Sequence, residues 1–212
     1  MVPTLSAWLR TRSTGPTGAP RSTRSWWGRW TTTSSCSAAS ETRRRRAARR
    51  APTSTTGSST CAAALGVRTV LETHGHWDHI QAVPAVRDAG YDVGVTAEDA
   101  AMLDAYDYLL EDESVVDVGR LRLHTIHTPG HTPGSMCFRL EGSPVLFSGD
   151  TLFPGGPGTT KFGGDFPTII ESIDRRLFSA LDPDTLVLPG HGDDTTIGDE
   201  RPHLQEWVDR GW

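Results

Sequence analysis

Lysine is almost missing from this chain: Lys161 is the only one among 212 residues. Acids are almost missing from its first third, where residues 1–71 hold twelve arginines and a single acid, Glu41. Residues 72–212 hold nine bases and 25 acids, so the two parts carry +11 and −16 formal charges toward the total of −5. Such asymmetry reads as a basic arm on an acidic domain. Cysteine is scarce as well. Cys36, Cys61 and Cys137 form neither a metal-ligand spacing nor an even disulfide framework, which points to a reducing, cytoplasmic compartment. No apolar run approaches the roughly 18 residues of a membrane span. Hydrophobic content of 36% is low for this length, and the deficit is concentrated in the first sixty residues. The length still suffices for one domain with a sizeable core.

What the chain has in unusual density is the chemistry of metal ligation. Thr73-His74-Gly75-His76-Trp77-Asp78-His79 puts three histidines and an aspartate within six residues. The apolar run 67–71 before it reads as a buried strand, and the apolar-periodic segment after it reads as a helix. The cluster therefore sits on a strand-to-helix turn, at the carboxyl end of the strand, where open α/β sheets place their sites. Imidazole and carboxylate are preferred ligands of zinc and its neighbours. His74 and His76, two residues apart on an extended turn, can point one way, and Asp78 and His79 can face a second point on the other side. A lone histidine is usually structural; four ligand-type side chains packed this closely are not.

This motif resembles the His-x-His-x-Asp-His hallmark of the metallo-β-lactamase-fold hydrolases. The resemblance runs from about Leu65 to Trp212, with the later landmarks in order: His131 within His127-Thr128-Pro129-Gly130-His131-Thr132-Pro133-Gly134-Ser135, Asp150 within Phe147-Ser148-Gly149-Asp150-Thr151-Leu152, and His191 within Leu188-Pro189-Gly190-His191-Gly192. The wording is most similar to the glyoxalase II-like branch, the hydroxyacyl-thiol hydrolases. The resemblance implies a four-layer αβ/βα sandwich. It also implies two divalent metal ions, zinc first, with iron and manganese tolerated by the same ligands. His74, His76 and His131 would hold one ion; Asp78, His79 and His191 would hold the other; Asp150 would bridge. Ions about 3.5–4 Å apart can share a water and lower its pKa towards ~7, giving a metal-bound hydroxide that attacks a carbonyl carbon. Asp78 can also orient that nucleophile, and Thr73, Thr151 and Ser148 are candidates to support the ligands.

Residues 1–60 do not read like such a domain. They are Ser, Thr, Arg, Pro, Gly and Ala with four tryptophans, Trp8, Trp26, Trp27 and Trp30, and show no helical or strand period. A nucleic-acid-binding arm and a transit peptide both suit the basic charge, but disordered tails rarely carry so many tryptophans. A third reading is translation in the wrong frame. Taking the third base of each codon with the first two of the next, 21–30 permits V-D-P-V-V-G-P-V and 31–33 a run of aspartates. A strand ending in V-D-P precedes the metal motif in the family. The same shift permits D-V-D and V-V-D-V-A over 52–61, leading into Ala64-Leu65-Gly66-Val67. The chain thus divides into an irregular basic segment, 1–60, frameshifted or disordered, and a hydrolase domain, 61–212. Missing or garbled N-terminal strands would leave a sheet edge unpaired. Resequencing the DNA decides the point.

Along the domain, 68–73 reads as the strand that delivers the first ligands. A helix follows, with Ile80, Val83, Val86 and Ala89 on one face, Pro84 in its first turn and Gly90 at its end. Residues 91–95 read as a strand and 97–110 as a helix capped by Thr96 and Asp99. Strands follow at 115–118 and 121–125, then a loop at 127–134 whose two Pro-Gly steps aim His131. A hairpin spans 136–140 and 145–148, with Asp150 just after it. Residues 168–181 read as a helix, 185–188 as a strand ending before His191, and 202–210 as a closing helix.

Lys161, in Thr159-Thr160-Lys161-Phe162-Gly163-Gly164, is assigned to a substrate carboxylate. His124 and His127 read as structural residues, His203 as either a surface residue at a helix start or a pocket residue, Trp77 as packing on the following helix in preference to walling the substrate channel, and Cys137 as a small buried hydrophobe. The chain stops about twenty residues after His191. The helical domain that helps a full glyoxalase II hold glutathione is therefore not expected, and another small thiol carrier or another ester fits as well. The expected activity is metal-dependent hydrolysis of a thioester, with a small-molecule substrate and neither nucleic acid nor membrane as partner. Two alternatives stand beside it: a mononuclear iron persulfide dioxygenase, and a nucleic-acid-binding or processing protein of the same fold.

Overall fold

A computed structural model describes residues 66–211. The readings of residues 1–60, frameshift and N-terminal strands included, lie outside the described residues. Two sheets form the frame. The smaller is parallel, in the order β1 (Thr69–Leu71), β2 (Asp92–Thr96), β3 (Tyr108–Leu110). Helices α1 (Trp77–Ile80) and α2 (Val83–Asp88) connect β1 to β2. Parallel neighbours need such a crossover.

The larger sheet has six strands. In chain order these are β4 (Val115–Val118), β5 (Leu121–His127), β6 (Met136–Leu140), β7 (Val145–Gly149), then β10 (Leu186–Pro189) and β11 (Thr195–Thr196). They lie side by side as β11-β10-β7-β6-β5-β4, antiparallel except for the parallel β7–β10 pair. A small ribbon of β8 (Leu152–Phe153) and β9 (Gly156–Pro157) follows β7.

Three apolar clusters mark the interfaces between layers. Side chains alternate across a strand, and β6 shows the result. Met136, Phe138 and Leu140 face a core shared with Leu71, Tyr108 and Leu110 of the small sheet. Cys137 faces the opposite way, with Leu146 and Val187, toward Ile169, Ile173, Leu177, Ile197 and Trp207. The third cluster puts Val70, Val93 and Val95 of the small sheet against Ile80, Val83 and Val86. The order helices, sheet, sheet, helices is the four-layer arrangement expected from the sequence. The outer helices of the larger sheet are α3 (Phe166–Ser172), α4 (Ile197–Glu200) and α5 (Leu204–Arg210). Asp165 caps α3 by accepting from the Thr168 amide at 2.9 Å.

Several boundaries differ from expectation. The helix expected after His79 breaks into α1 and α2, with Pro84 in the first turn of α2. The helix expected over 168–181 starts earlier and passes from α3 into a π-helical stretch, Ile173–Phe178, that keeps the apolar stripe buried. The expected 97–110 helix does not form: only a 3-10 turn, Ala100–Met102, precedes strand β3. Its two capping groups are committed elsewhere. Thr96 Oγ1 donates to the Gly134 carbonyl at 2.8 Å, and the Asp99 carboxyl accepts from Gly75, Thr132 and Gly134. Tertiary partners outcompete the local helix there.

Candidate metal centre

Each loop that supplies a ligand-type side chain leaves the same end of the frame. His74, His76, Asp78 and His79 follow β1 and enter α1, whose first turn closes through His79 N–H and Ile80 N–H to the His76 carbonyl at 2.9 and 3.2 Å. His131 lies between β5 and β6, Asp150 follows β7 and His191 follows β10. Backbone bonds hold these ends together: Met136 N–H to the Thr73 carbonyl and Gly190 N–H to the Gly149 carbonyl, both at 2.8 Å. Gly190 is required by close approach. A Cβ there would stand 2.3 Å from Asp150 Oδ1 and 2.8 Å from His79 Cε1.

His131 Nε2 lies 2.9 Å from His76 Nδ1 and 3.2 Å from His74 Nε2. His79 Nε2 lies 3.1 Å from His191 Nε2, which lies 3.1 Å from Asp78 Oδ2. Between the two groups stands Asp150. Its Oδ1 is 3.4 Å from His79 Nε2, and its Oδ2 is 3.8 Å from His131 Nε2 and 3.6 Å from His191 Nε2. Ligand atoms converge within 4.8 Å in three overlapping sets: His74, His76, His131; His74, His79, Asp150; and Asp78, His79, His191. The first set is deep, with His74 only 1% exposed. The last opens to solvent through the His191 side chain, 43% exposed.

Burial first, then the neighbouring His79, His131, His76 and His191, hold the His74 imidazole well below its usual range, so it is neutral. Burial also lowers His131, against the opposing pull of Asp150 and the Thr159 carbonyl. Burial would lower His79 and raise Asp150 too. Asp150, with Asp78 and Glu72, outweighs that and raises His79, while His79, His131 and His191 together lower Asp150. Glu72, at the end of β1, is pushed up to about 8 by burial, with His79 pulling the other way.

These groups fit a divalent cation. His131 Nδ1 lies 2.8 Å from the Thr159 carbonyl oxygen, which can only accept, so Nδ1 carries the proton and Nε2 presents a bare lone pair. That lone pair points at two further ring nitrogens. Asp150 Oδ1 is buried without a hydrogen-bond partner, as is His76 Nε2. A buried carboxylate oxygen with only the His79 nitrogen at 3.4 Å to face is costly unless a cation completes the site, and imidazole with carboxylate suits zinc, iron or manganese.

All seven side chains singled out in the sequence as ligands meet here. Thr73 Oγ1 lies 3.1 Å from His74 Nδ1, as a supporting group would. Thr151 bonds Thr128, and Ser148 bonds the Leu152 carbonyl, so both serve the frame. Lys161 is exposed on a loop fastened to His131 through Thr159. His124 pairs with Glu141, His127 bonds the Pro133 carbonyl and His203 meets Glu206, all away from the centre. Cys137 is buried, and burial pushes its thiol up to about 11. Trp77 departs from expectation: it is 71% exposed rather than packed on a helix, because Asp78 and His79 take the inward side of the turn. The Thr159 carbonyl was not legible in the sequence, since a backbone acceptor carries no residue signature.

A family model described as "Metallo-beta-lactamase superfamily" matches residues 62–191. The chain is similar to the probable metallo-hydrolase YqgX of Bacillus subtilis, 34% identical over 64% of this chain and 74% of that protein. It is also similar to the hydroxyacylglutathione hydrolase GloC of Haemophilus influenzae, 32% identical over 65% of this chain and 74% of that protein. Among solved structures, the BLEG-1 B3 metallo-beta-lactamase matches with a TM-score of 0.60 at 35% identity, over 64% of this chain and 75% of that one. Among the described residues, no helix is long and apolar enough to cross a membrane.

Proposed function

Because the chain belongs to the metallo-beta-lactamase superfamily and is a metal-dependent hydrolase of that kind, we propose that its substrate is a thioester of the hydroxyacyl-thiol type. The observation that carries the reading is the convergence of seven ligand-type side chains on two adjoining points. His74, His76 and His131 would hold one ion, Asp78, His79 and His191 a second, with Asp150 facing both. Zinc is the first choice of metal. Divalent ions held there would supply a low-pKa water and polarise a carbonyl.

The rest is the work of this chain's own side chains. Thr159 fixes the His131 tautomer and Thr73 steadies His74. Asp78, 30% exposed, is open to accept a hydrogen bond from the attacking water. The open His191 side would admit the substrate, and Lys161, on the loop that Thr159 fastens to His131, would meet a substrate carboxylate. The hydroxyacyl-thiol preference draws support from the similarity to GloC. The partner is then a small molecule rather than nucleic acid, and the buried free thiol of Cys137 suits a reducing, cytoplasmic setting.

The test is elemental analysis of the purified full chain, followed by a thioester hydrolysis assay with and without chelator. About two divalent ions per chain and hydrolysis abolished by chelator support the reading. Full activity in metal-free protein overturns it. One iron per chain with oxygen consumption on a persulfide would instead establish the dioxygenase alternative.

A further inference from the structure

Asp99 is fully buried, yet its three hydrogen bonds go to none of the seven ligand-type side chains. Its carboxyl accepts three hydrogen bonds. Oδ2 takes the Gly75 amide at 2.8 Å and the Thr132 hydroxyl at 2.6 Å; Oδ1 takes the Gly134 amide at 2.8 Å. Gly75 sits between His74 and His76, and Thr132 directly follows His131. One carboxyl therefore joins the two loops that together supply the three-histidine group. Thr96 completes the grip by donating to the Gly134 carbonyl, so Gly134 is held at both its N–H and its C=O. The fit is tight: a Cβ on Gly134 would lie 2.1 Å from Thr96 Oγ1 and 2.6 Å from the Asp99 carboxyl carbon. Thr132 is also tied to Ser135, through its amide at 3.0 Å and its hydroxyl at 2.8 Å, which stiffens the loop that Asp99 holds.

We infer that Asp99 is a positioning residue for the three-histidine metal site, setting the spacing between the His74/His76 loop and the His131 loop and through it the site's affinity for a divalent cation. The inference rests on the metal-dependent reading above. Partners one step removed from a metal change its affinity by about 10–100-fold when lost, because ligands must be held where the ion needs them. Asp99→Asn is nearly isosteric but replaces one acceptor by an NH2 group. That group would face an amide N–H or a hydroxyl proton, and one arm of the bridge breaks without opening a cavity.

The experiment uses the full chain stripped with chelator and titrated with Zn2+ against a chromophoric competitor, then with Co2+ read by its visible spectrum. Thermal melting of the metal-free proteins is followed in parallel. The expected result for Asp99→Asn is a 10–100-fold weaker affinity at one of the two sites and an altered cobalt spectrum, measured well below the melting temperature. Thr132→Val removes the hydroxyl arm to Asp99, together with that hydroxyl's bond to Ser135, while both backbone arms stay in place; it guards against a variant that fails to fold and should weaken the same site several-fold. Folded variants with lowered melting temperatures but wild-type Zn2+ affinity and cobalt spectra would overturn the inference and leave the metal reading standing. A wild-type chain that binds neither metal overturns both.

Discussion

The Thr159 carbonyl oxygen lies 2.8 Å from His131 Nδ1, and this contact decides which nitrogen of His131 faces the centre. Because the carbonyl accepts, the lone pair is left on Nε2, 3.2 Å from His74 Nε2. His131→Ala removes the lone pair on which the three-histidine group closes. It should cost one metal equivalent by elemental analysis and lower kcat/KM for a thioester on the order of 10³-fold, the loss of several kcal/mol of metal-assisted stabilisation. Unchanged metal content would remove His131 from the centre.

Lys161 makes a narrower prediction. It is exposed, and an exposed charge pair contributes about 0.2–1 kcal/mol. Lys161→Ala should therefore raise KM for an anionic thioester about two- to fivefold, with kcat little changed. Steady-state kinetics on a charged and a neutral thioester separate the cases: equal KM values for wild type and variant on the charged one would end the assignment.

Acid sensitivity has a marked contributor far from the centre. Arg87 donates twice to Asp107, at 2.9 and 2.7 Å, and the Val93 amide donates to the same carboxylate at 2.9 Å. The Arg87 guanidinium, then the Val93 amide, hold Asp107 at about 2, below its ordinary 3.8. A carboxyl depressed in the folded state stabilises above its unfolded pKa, and that contribution fades as pH falls through the folded value. Asp107→Asn should thus melt lower than wild type at pH 6, with the gap closing as pH falls from about 4 towards 2. A gap independent of pH would show that the carboxylate charge is not its source.

Two tryptophans offer a contrast at fixed chemistry. Trp207 is 1% exposed within the core between the larger sheet and its helices, and Trp77 is 71% exposed on the turn that carries His76, Asp78 and His79. Trp207→Ala should cost about 3–5 kcal/mol of stability. Trp77→Ala should change stability by no more than about 0.5 kcal/mol. Denaturant unfolding of the metal-free proteins checks both; comparable losses would mean that the turn packs more tightly than its exposure indicates.

The sequence made the seven convergent ligand-type side chains legible because their chemistry is local in kind even where distant in position. His74 to His79 announce themselves by density, and His131, Asp150 and His191 each follow a strand or a Pro-Gly loop. The hairpin of β6 and β7 was likewise readable as two apolar runs about a short turn. Residues 97–110 were not legible. Thr96 and Asp99 have the form of a helix cap, and only the folded chain brings Gly75, Thr132 and Gly134 close enough to claim them. Trp77 misled for a related reason: side-chain type suggested burial, while the turn's inward side was already filled by ligand groups.

His79 and His191 stand 3.1 Å apart although 112 residues separate them along the chain. A cation gripped by both would act as a clasp on a very long loop. It would be bound by the native form and released on unfolding, and each tenfold excess of free ion over its dissociation constant would add about 1.4 kcal/mol to the fold. Cellular metal supply would then govern how long the protein survives proteolysis as well as how fast it turns over substrate.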